Sequence, residues 1–238
     1  VRIATGDNKY EFVLSVVNKI IDDKDDMLNI QLYDNGTEDY SGYFVLANNI
    51  DFKGAENNPE IKGTYSYGGA TGGFHGVFDG RGYTIKNVRI TTFGGLFGGV
   101  NADGTIRNVA FENIDIANTD GSPMGGVFGK EFCGKMENVF ISATLNGTPH
   151  SGAIANYVTG CEIKNSVFVV GGTLSDSLSG AIGNEVAWSA SHPVFDNCYI
   201  VTELGKLWHK KTDNPDGTET IKITQGATSV EATGLDES

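Results

Sequence analysis

The sequence predicts an all-β fold, a right-handed parallel β-helix (a solenoid) with a short N-terminal capping α-helix. The first observation is a motif in which an apolar residue, a charged residue and an asparagine follow one another. The motif occurs five times, with its asparagine at Asn87, Asn108, Asn138, Asn165 and Asn197. Successive asparagines are 21, 30, 27 and 32 residues apart. Spacings of this length are typical of a solenoid, in which each repeat forms one turn of a coil and packs on its neighbours.

The second observation is the alternation of apolar and polar residues around each asparagine. The first and third residues after each asparagine are mostly apolar, which is the pattern of a half-buried strand. A glycine-led apolar tetrad stands before each asparagine, at 76–79, 95–98, 126–129, 152–155 and 180–183. Each repeat therefore supplies three inward positions, so that stacked repeats give three apolar columns. Their first members are Ile85 followed by Ile106, Ile90 followed by Phe111, and Phe78 followed by Phe97.

The repeated asparagines and glycines are predicted to have structural roles. Asparagine tolerates left-handed backbone, and its carboxamide can bond to an equivalent residue one rung away, at a spacing of about 4.8 Å. We therefore expect the five asparagines to form a ladder along one corner of the coil. The tetrad glycines with the same structural assignment, at the turns between short strands, are Gly95, Gly98, Gly126 and Gly129.

The chain divides into three predicted parts. Residues 1–42 form an N-terminal cap, because the apolar residues between Tyr10 and Ile21 have helical spacing and predict a helix over about 8–21. Such a helix would cover the open end of the coil, where strand edges are unpaired. Residues 43–226 are assigned to the β-helix. The acidic, Ser/Thr-rich residues 227–238 are predicted to be a flexible tail or a linker.

Composition limits the classes of function. The formal net charge of −13 argues against a nucleic-acid partner and against an anionic membrane surface. No apolar run is long enough to span a bilayer, so membrane insertion is not expected, and any export signal is expected to lie outside this sequence.

The aspartates at 22, 23, 25 and 26 lack the spacing of an EF-hand, so a solvated loop is predicted there rather than a metal site. No cofactor is expected.

Three cysteines are too few for a disulfide scaffold. Cys198 falls in an inward position and is expected to be a buried apolar residue. Cys133 and Cys161 fall on neighbouring turns, where either two free thiols or a disulfide would fit the spacing.

Candidate binding residues follow from the repeat lengths. Length varies mainly between each asparagine and the next glycine, which predicts loops along one edge of the coil over 112–124, 142–151 and 169–179. Loops on a rigid scaffold commonly carry binding sites, although tolerated insertions would give the same pattern. The candidates in these loops are Asp115, Asn118, Asp120, Asn146, His150, Ser175 and Asp176. Tyr65 and Tyr67 lie in another insertion, where they could stack on a sugar ring or seal the loop against the coil. Trp188, in the insertion over 184–193, is a further candidate binding residue.

The sequence predicts no catalytic residue. Motifs of zinc proteases, zinc ribbons and serine hydrolases are absent. A polysaccharide lyase or glycoside hydrolase remains the enzymatic alternative, and it would need either two or three carboxylates grouped on one face or a calcium cluster with a basic residue as proton acceptor. The residues that could supply such a group are Asp79, Arg81 and Asp103, although Asp79 and Arg81 also fit a structural turn.

One segment resembles a known family. The run Phe78-Asp79-Gly80-Arg81-Gly82-Tyr83-Thr84-Ile85, followed by Gly95-Leu96-Phe97-Gly98, is similar to the GLUG-motif repeats of bacterial surface proteins. The resemblance covers about 43–200 and implies a β-helix and a secreted or cell-surface location, without carrying over a catalytic residue. Such repeats occur in adhesin-like proteins and beside the catalytic part of some IgA-cleaving metallopeptidases.

The expected function is therefore adhesin-like. The chain would bind a glycan or an extracellular protein through the edge loops of a rigid β-helix, or act as a spacer. Two alternatives remain open, a carbohydrate-active enzyme and a non-catalytic domain of a larger surface protease.

Overall fold

The protein is described by a computed structural model. It describes residues 2–5, 8–11, 16–30, 41–57, 73–92, 94–117, 125–147, 149–175, 179–185, 193–204, 208–210, 221–225 and 228–232. These residues form a parallel β-solenoid of about five turns with one short helix, so the predicted fold class is confirmed.

Most strands of the described residues are short, and the two longest have twelve residues each. The N-terminal elements are β1 (Arg2–Thr5), β2 (Asn8–Glu11), β3 (Lys19–Ile21), α1 (Lys24–Leu28), β4 (Tyr43–Leu46) and β5 (Ile50–Asp51). The central strands are β6 (Val77–Asp79), β7 (Thr84–Lys86), β8 (Arg89–Ile90), β9 (Thr105–Ile116), β10 (Glu131–Phe132), β11 (Lys135–Asn146), β12 (Tyr157–Val158) and β13 (Glu162–Lys164). The C-terminal strands are β14 (Val167–Thr173), β15 (Gly183–Glu185), β16 (Val194–Asp196), β17 (Cys198–Thr202), β18 (Trp208–Lys210), β19 (Ile221–Gln225) and β20 (Thr228–Ala232).

Parallel pairing joins each strand of the coil to its equivalent one turn away. The largest sheet runs in the order β3-β4-β6-β9-β11-β14-β17-β19-β20, and a second sheet runs β10-β12-β15-β18. Strands β9 and β11 each bend at an asparagine with a positive φ, and therefore contribute to two faces of the coil. Strands β1 and β2 form a separate antiparallel hairpin.

The interior is filled by stacked apolar residues. Ile106, Met136 and Ile163 lie opposite one another in the sheet, and Phe195 continues the column. Phe111, Ile141, Phe168 and Ile200 form a parallel column. Between the columns, buried phenylalanine rings meet edge to face, as where the Phe97 centroid lies 5.2 Å from that of Phe78. From Ile106 onwards, the inward positions are those that the alternation predicts.

The first repeat departs from the predicted alignment. Ile85 lies opposite Phe111 and not opposite Ile106, whose partner is Phe78. Asn87 is therefore the neighbour of Asn113, and its side chain accepts a hydrogen bond from Asn113. The reason is that β9 contains two left-handed asparagines, so that the strand bends twice and the first motif pairs after the second bend.

The predicted helix over 8–21 is wrong where the structure describes this segment. Asn8–Glu11 and Lys19–Ile21 are strands, and the helix is instead Lys24–Leu28. Ile21 is fully buried and β3 pairs in parallel with β4, so that this segment adds a rung to the coil. Long-range pairing outweighs the local helical spacing here, because most of the stability of such a short helix would have to come from packing.

The C-terminal residues also differ from the prediction. Thr228–Ala232, assigned above to a flexible tail, forms a strand that pairs antiparallel with Ile221–Gln225. This strand covers the open edge of the last parallel strand, a common protection against pairing with other chains.

All three cysteines are buried, and none forms a disulfide within the described part of the chain, so Cys133 and Cys161 are thiols. In the described part of the chain, no helix has the length and apolar character needed to cross a membrane.

Candidate functional site

The structure places the predicted loop residues differently from the prediction. Residues 112–116, 142–146 and 169–173 belong to strands that pair in register across turns, so the proposed loops begin later than expected. Asp115 and Asn146 are thus strand residues, His150 lies in a turn with a φ of 51°, and Ser175 is exposed beyond β14. The remaining candidates, Asn118, Asp120, Asp176, Tyr65, Tyr67 and Trp188, lie outside the described residues.

Asp115 belongs to a network that links four turns of the coil. Its carboxylate accepts a hydrogen bond from the Asn146 side chain and lies 3.4 Å from Nε of Arg89. Arg89 also forms an ion pair with Glu56, with 3.6 Å between the charged atoms. These contacts support register between turns. They border a groove of about 580 Å³, which we call the first groove and which is lined by Lys53, Gly54, Asn87, Val88, Arg89, Asn113 and Asp115.

Asp79 is the centre of a second, more buried network. Its Oδ1 accepts from the backbone N–H of Arg81 at 3.0 Å and from Nδ2 of Asn108 at 3.1 Å. Its Oδ2 accepts from the hydroxyl of Tyr43 at 2.9 Å and from Nε of Arg107 at 3.0 Å. Burial alone would raise the pKa of the Asp79 carboxyl, but these hydrogen bonds and the charge of Arg107 hold it below its ordinary value. Asp79 thus ties three successive turns together.

The trio suggested for catalysis is not brought together as a reactive group. Arg81 is exposed with a φ of 53°, and it contributes its backbone N–H rather than its guanidinium to Asp79. Asp103 is exposed in the turn before β9, whereas Asp79 lies opposite Arg107 within that strand. A carboxylate with four donors and a lowered pKa is poorly suited to give up a proton at neutral pH.

Four of the five corner asparagines form a ladder in two pieces, and Asn87 belongs to a separate pair with Asn113. All five have φ values between 50° and 57°, and Asn113 shares this conformation with a φ of 52°. In one piece, Asn138 donates to Asn108 at 3.1 Å, and Asn108 donates in turn to Asp79. In the other, Asn197 donates to Asn165 at 2.8 Å. Asn138 and Asn165, on adjacent turns, have no hydrogen bond to each other in the described part of the chain.

A larger groove, which we call the ladder groove, follows this corner across four turns. Its volume is about 770 Å³, and it is lined by Asp79, Arg81, Gly82, Asn108, Val109, Ala110, Asn138, Val139, Phe140, Asn165 and Val167. Ala110, Phe140 and Val167 lie opposite one another on its outward side, and Tyr199, 40% exposed, continues that column.

The sequence prediction missed this groove. Phe140, Val167 and Tyr199 are the second residues after their asparagines, a position that the strand alternation points outward. The strand alternation places this position on the solvent side, where polar residues are expected. Apolar side chains at this position could therefore have indicated an exposed binding surface.

An acidic cluster lies apart from both grooves. One carboxylate oxygen from each of Asp22, Asp23 and Asp26 lies within 4.8 Å of the others. Lys19 forms an ion pair with Asp26 at 2.7 Å, and Asp23 caps α1 by accepting from the Asp26 N–H at 2.8 Å. These contacts give the cluster a role at the start of the helix.

Comparison with known proteins adds one similarity. Halomucin from Haloquadratum walsbyi (strain DSM 16790 / HBSQ001) is 28% identical over 149 residues, which cover 57% of this chain and 2% of halomucin. No family model matches the chain, and no solved structure matches it. The fold makes the chain a parallel β-solenoid protein, and the solenoid together with this similarity fits a surface protein.

Proposed function

We propose that the chain is a β-helical part of a secreted or cell-surface protein that binds an extracellular ligand, a glycan or a protein, in the manner of an adhesin. The ladder groove is the observation that carries this proposal, because it is an open surface of about 770 Å³ that crosses four turns of a rigid coil. An open groove along a solenoid suits an extended ligand better than a small molecule, which is usually enclosed.

The rigidity of the groove supports binding. Val109 and Val139 line its floor and are almost fully buried, and Asn108 and Asn138 are held in the ladder. A surface whose side chains are already fixed loses little conformational entropy when a ligand binds. The binding surface that we propose is therefore the strand-built corner, in place of the edge loops expected from the sequence.

Binding is favoured over catalysis by the state of Asp79. This carboxylate is the buried acid of the ladder groove, and all of its close partners are donors that stabilise its charged form. A glycoside hydrolase needs one carboxyl group that remains protonated near neutral pH. A carbohydrate-active enzyme is thus the second candidate.

Two other observations agree with a surface protein. The run 78–85 and the tetrad 95–98 resemble GLUG-motif repeats, and halomucin is similar over part of this chain. Both are also compatible with a spacer, or with a non-catalytic domain of a surface protease. Only a test of binding separates these roles.

The test is a panel of immobilised glycans and extracellular-matrix proteins. The expected result is saturable retention of the chain on at least one member, with no new reducing or unsaturated sugar ends. New ends would overturn the binding proposal and establish the enzymatic alternative. Retention on no member would overturn it in favour of a spacer.

A further inference from the structure

We propose that the ladder groove binds an uncharged, hexose-containing glycan at the interruption of the asparagine ladder between Asn138 and Asn165. This inference rests on the proposed function and names its ligand class and its contact point. The interruption, the apolar column beside it and the balance of nearby charges each support it.

The interruption leaves one acceptor and one donor group facing the groove. Asn138 uses its Nδ2 to donate to Asn108, and its Oδ1 accepts no hydrogen bond from any residue that the structure describes. Asn165 uses its Oδ1 to accept from Asn197, and its Nδ2 group donates to none of the described residues. Both side chains are exposed and both residues line the groove. A pair of neighbouring hydroxyl groups can satisfy both, because each hydroxyl donates one hydrogen bond and accepts others.

Ser166 distinguishes the interrupted step from the others. A valine follows the asparagine at 87, 108 and 138, and a cysteine follows Asn197, but a serine with its hydroxyl group follows Asn165. The Ser166 hydroxyl donates to the carbonyl of Lys164 at 2.8 Å and accepts from the backbone N–H of Val139 at 3.2 Å. The side chain of Ser166 therefore joins the two turns here, at the step where the asparagine amides do not.

An apolar surface lies beside the two free amide groups. Phe140 and Val167 face each other across the same step, each two residues beyond its asparagine, and both are half-buried. Tyr199 extends this surface by one turn. Pyranose rings combine an apolar face of C–H groups with a rim of hydroxyls. Such a ring can pack on Phe140 while its hydroxyls reach the amides.

The charges around the groove favour a neutral ligand. Arg107, Glu137, Lys164 and Asp196 lie opposite one another on four successive turns, and their signs alternate. The formal charges of these four residues cancel, and so do those of Asp79 and Arg81, which line the groove itself, so neither set offers net attraction to a polyanion. The net charge of −13 opposes an anionic polymer at longer range.

The decisive variant is Asn165→Asp. Aspartate keeps the size of asparagine and its tolerance of left-handed backbone, but it replaces the free amide donor with a charged acceptor. The control is Asn113→Asp, which makes the same substitution at another left-handed corner, in the first groove, where the amide donates to Asn87. A second variant, Phe140→Thr, removes the apolar face and keeps a strand-forming residue. Circular dichroism and thermal unfolding establish that each variant is folded.

Binding is measured by calorimetry with soluble neutral hexose oligosaccharides and, for comparison, with uronic-acid oligosaccharides. We expect the wild type to bind the neutral hexose oligosaccharides. We expect about tenfold weaker binding by Asn165→Asp and by Phe140→Thr, and unchanged binding by Asn113→Asp.

Several results would overturn the inference and leave the proposed function standing. They are neutral-glycan binding that both groove variants retain, a loss of binding only in Asn113→Asp, preference for the uronic-acid series, or retention on matrix proteins without glycan binding. Absence of binding to every glycan and matrix protein would overturn both proposals.

Discussion

Replacement of Asp79 by asparagine tests whether this residue holds three turns of the coil together. The substitution keeps the shape of the side chain and removes its charge. One carboxylate oxygen becomes the NH2 group of the carboxamide. This group cannot accept the hydrogen bonds that the carboxylate oxygen accepted. The ion pair with Arg107, at 3.0 Å, is lost at the same time.

The expected loss of unfolding free energy is about 2 kcal/mol. Hydrogen bonds to a charged group contribute roughly 1.5–3 kcal/mol, and the Asp79 side chain is only 10% exposed. The Arg107 side chain is 38% exposed and can recover water when its partner is lost, so the larger penalty of a fully buried broken pair does not apply. In a chain of this size, 2 kcal/mol corresponds to a fall in Tm of about 4–8 °C.

The assay is thermal unfolding followed by circular dichroism at several pH values, with Asp103→Asn as the control for loss of one exposed carboxylate. The folded-state pKa of Asp79 is lowered, so its contribution is fully present above its ordinary value of 3.8 and is lost as the pH falls through the folded value. The difference in Tm between wild type and Asp79→Asn should therefore be constant near neutral pH and shrink below about pH 4.

Two results would refute this account of Asp79. One is a Tm of Asp79→Asn equal to that of Asp103→Asn at neutral pH. The other is a difference from wild type that persists unchanged in acid, because that would show that shape rather than charge is responsible.

Three further predictions concern the core. Gly95→Ala should cost about 3 kcal/mol, because Gly95 has a φ of 56° and an added Cβ would meet the backbone of Gly129. Gly82 has a φ of 84°, but an added Cβ would meet open space, so Gly82→Ala should lower the free energy of unfolding by only about 1 kcal/mol. Equal losses for the two glycine variants in urea unfolding would contradict this reasoning. Phe97→Ala should cost about 3–5 kcal/mol in the same assay, and a loss no greater than that of half-buried Phe140→Ala would count against the edge-to-face core. The three thiols should resist alkylation at pH 8 until the chain unfolds, because all are buried and burial raises the pKa of Cys133; stoichiometric labelling of the native protein would disprove this.

Much of the fold could be predicted because a strand's alternation is visible locally. From Ile106 to Ile200, each motif places its apolar residues inward, as in the columns that contain Met136 and Phe168. The left-handed corners were equally accessible, since asparagine is one of the few residues other than glycine that adopts this conformation readily.

The errors occur where long-range pairing decides between locally acceptable alternatives. Asn87 could lie next to Asn108 or Asn113, and both are left-handed, so only the partner of Ile85 resolves the alignment. Lys19–Ile21 has helical spacing, but its pairing with β4 buries Ile21 and makes it a strand. Asp115 was assigned to a loop because insertion lengths do not show where a strand ends.

The candidate site was the least predictable part. The sequence by itself determined the period, the inward columns and the residue types at the corners, because these depend on backbone preferences and burial within one turn. Only the tertiary structure decided that Asn138 and Asn165 face each other without bonding, and that Phe140 and Val167 share one surface. The physical reason is that a ligand site on a coil is formed between turns. Its geometry is set by the register of strands far apart in the chain, and no local pattern fixes that register.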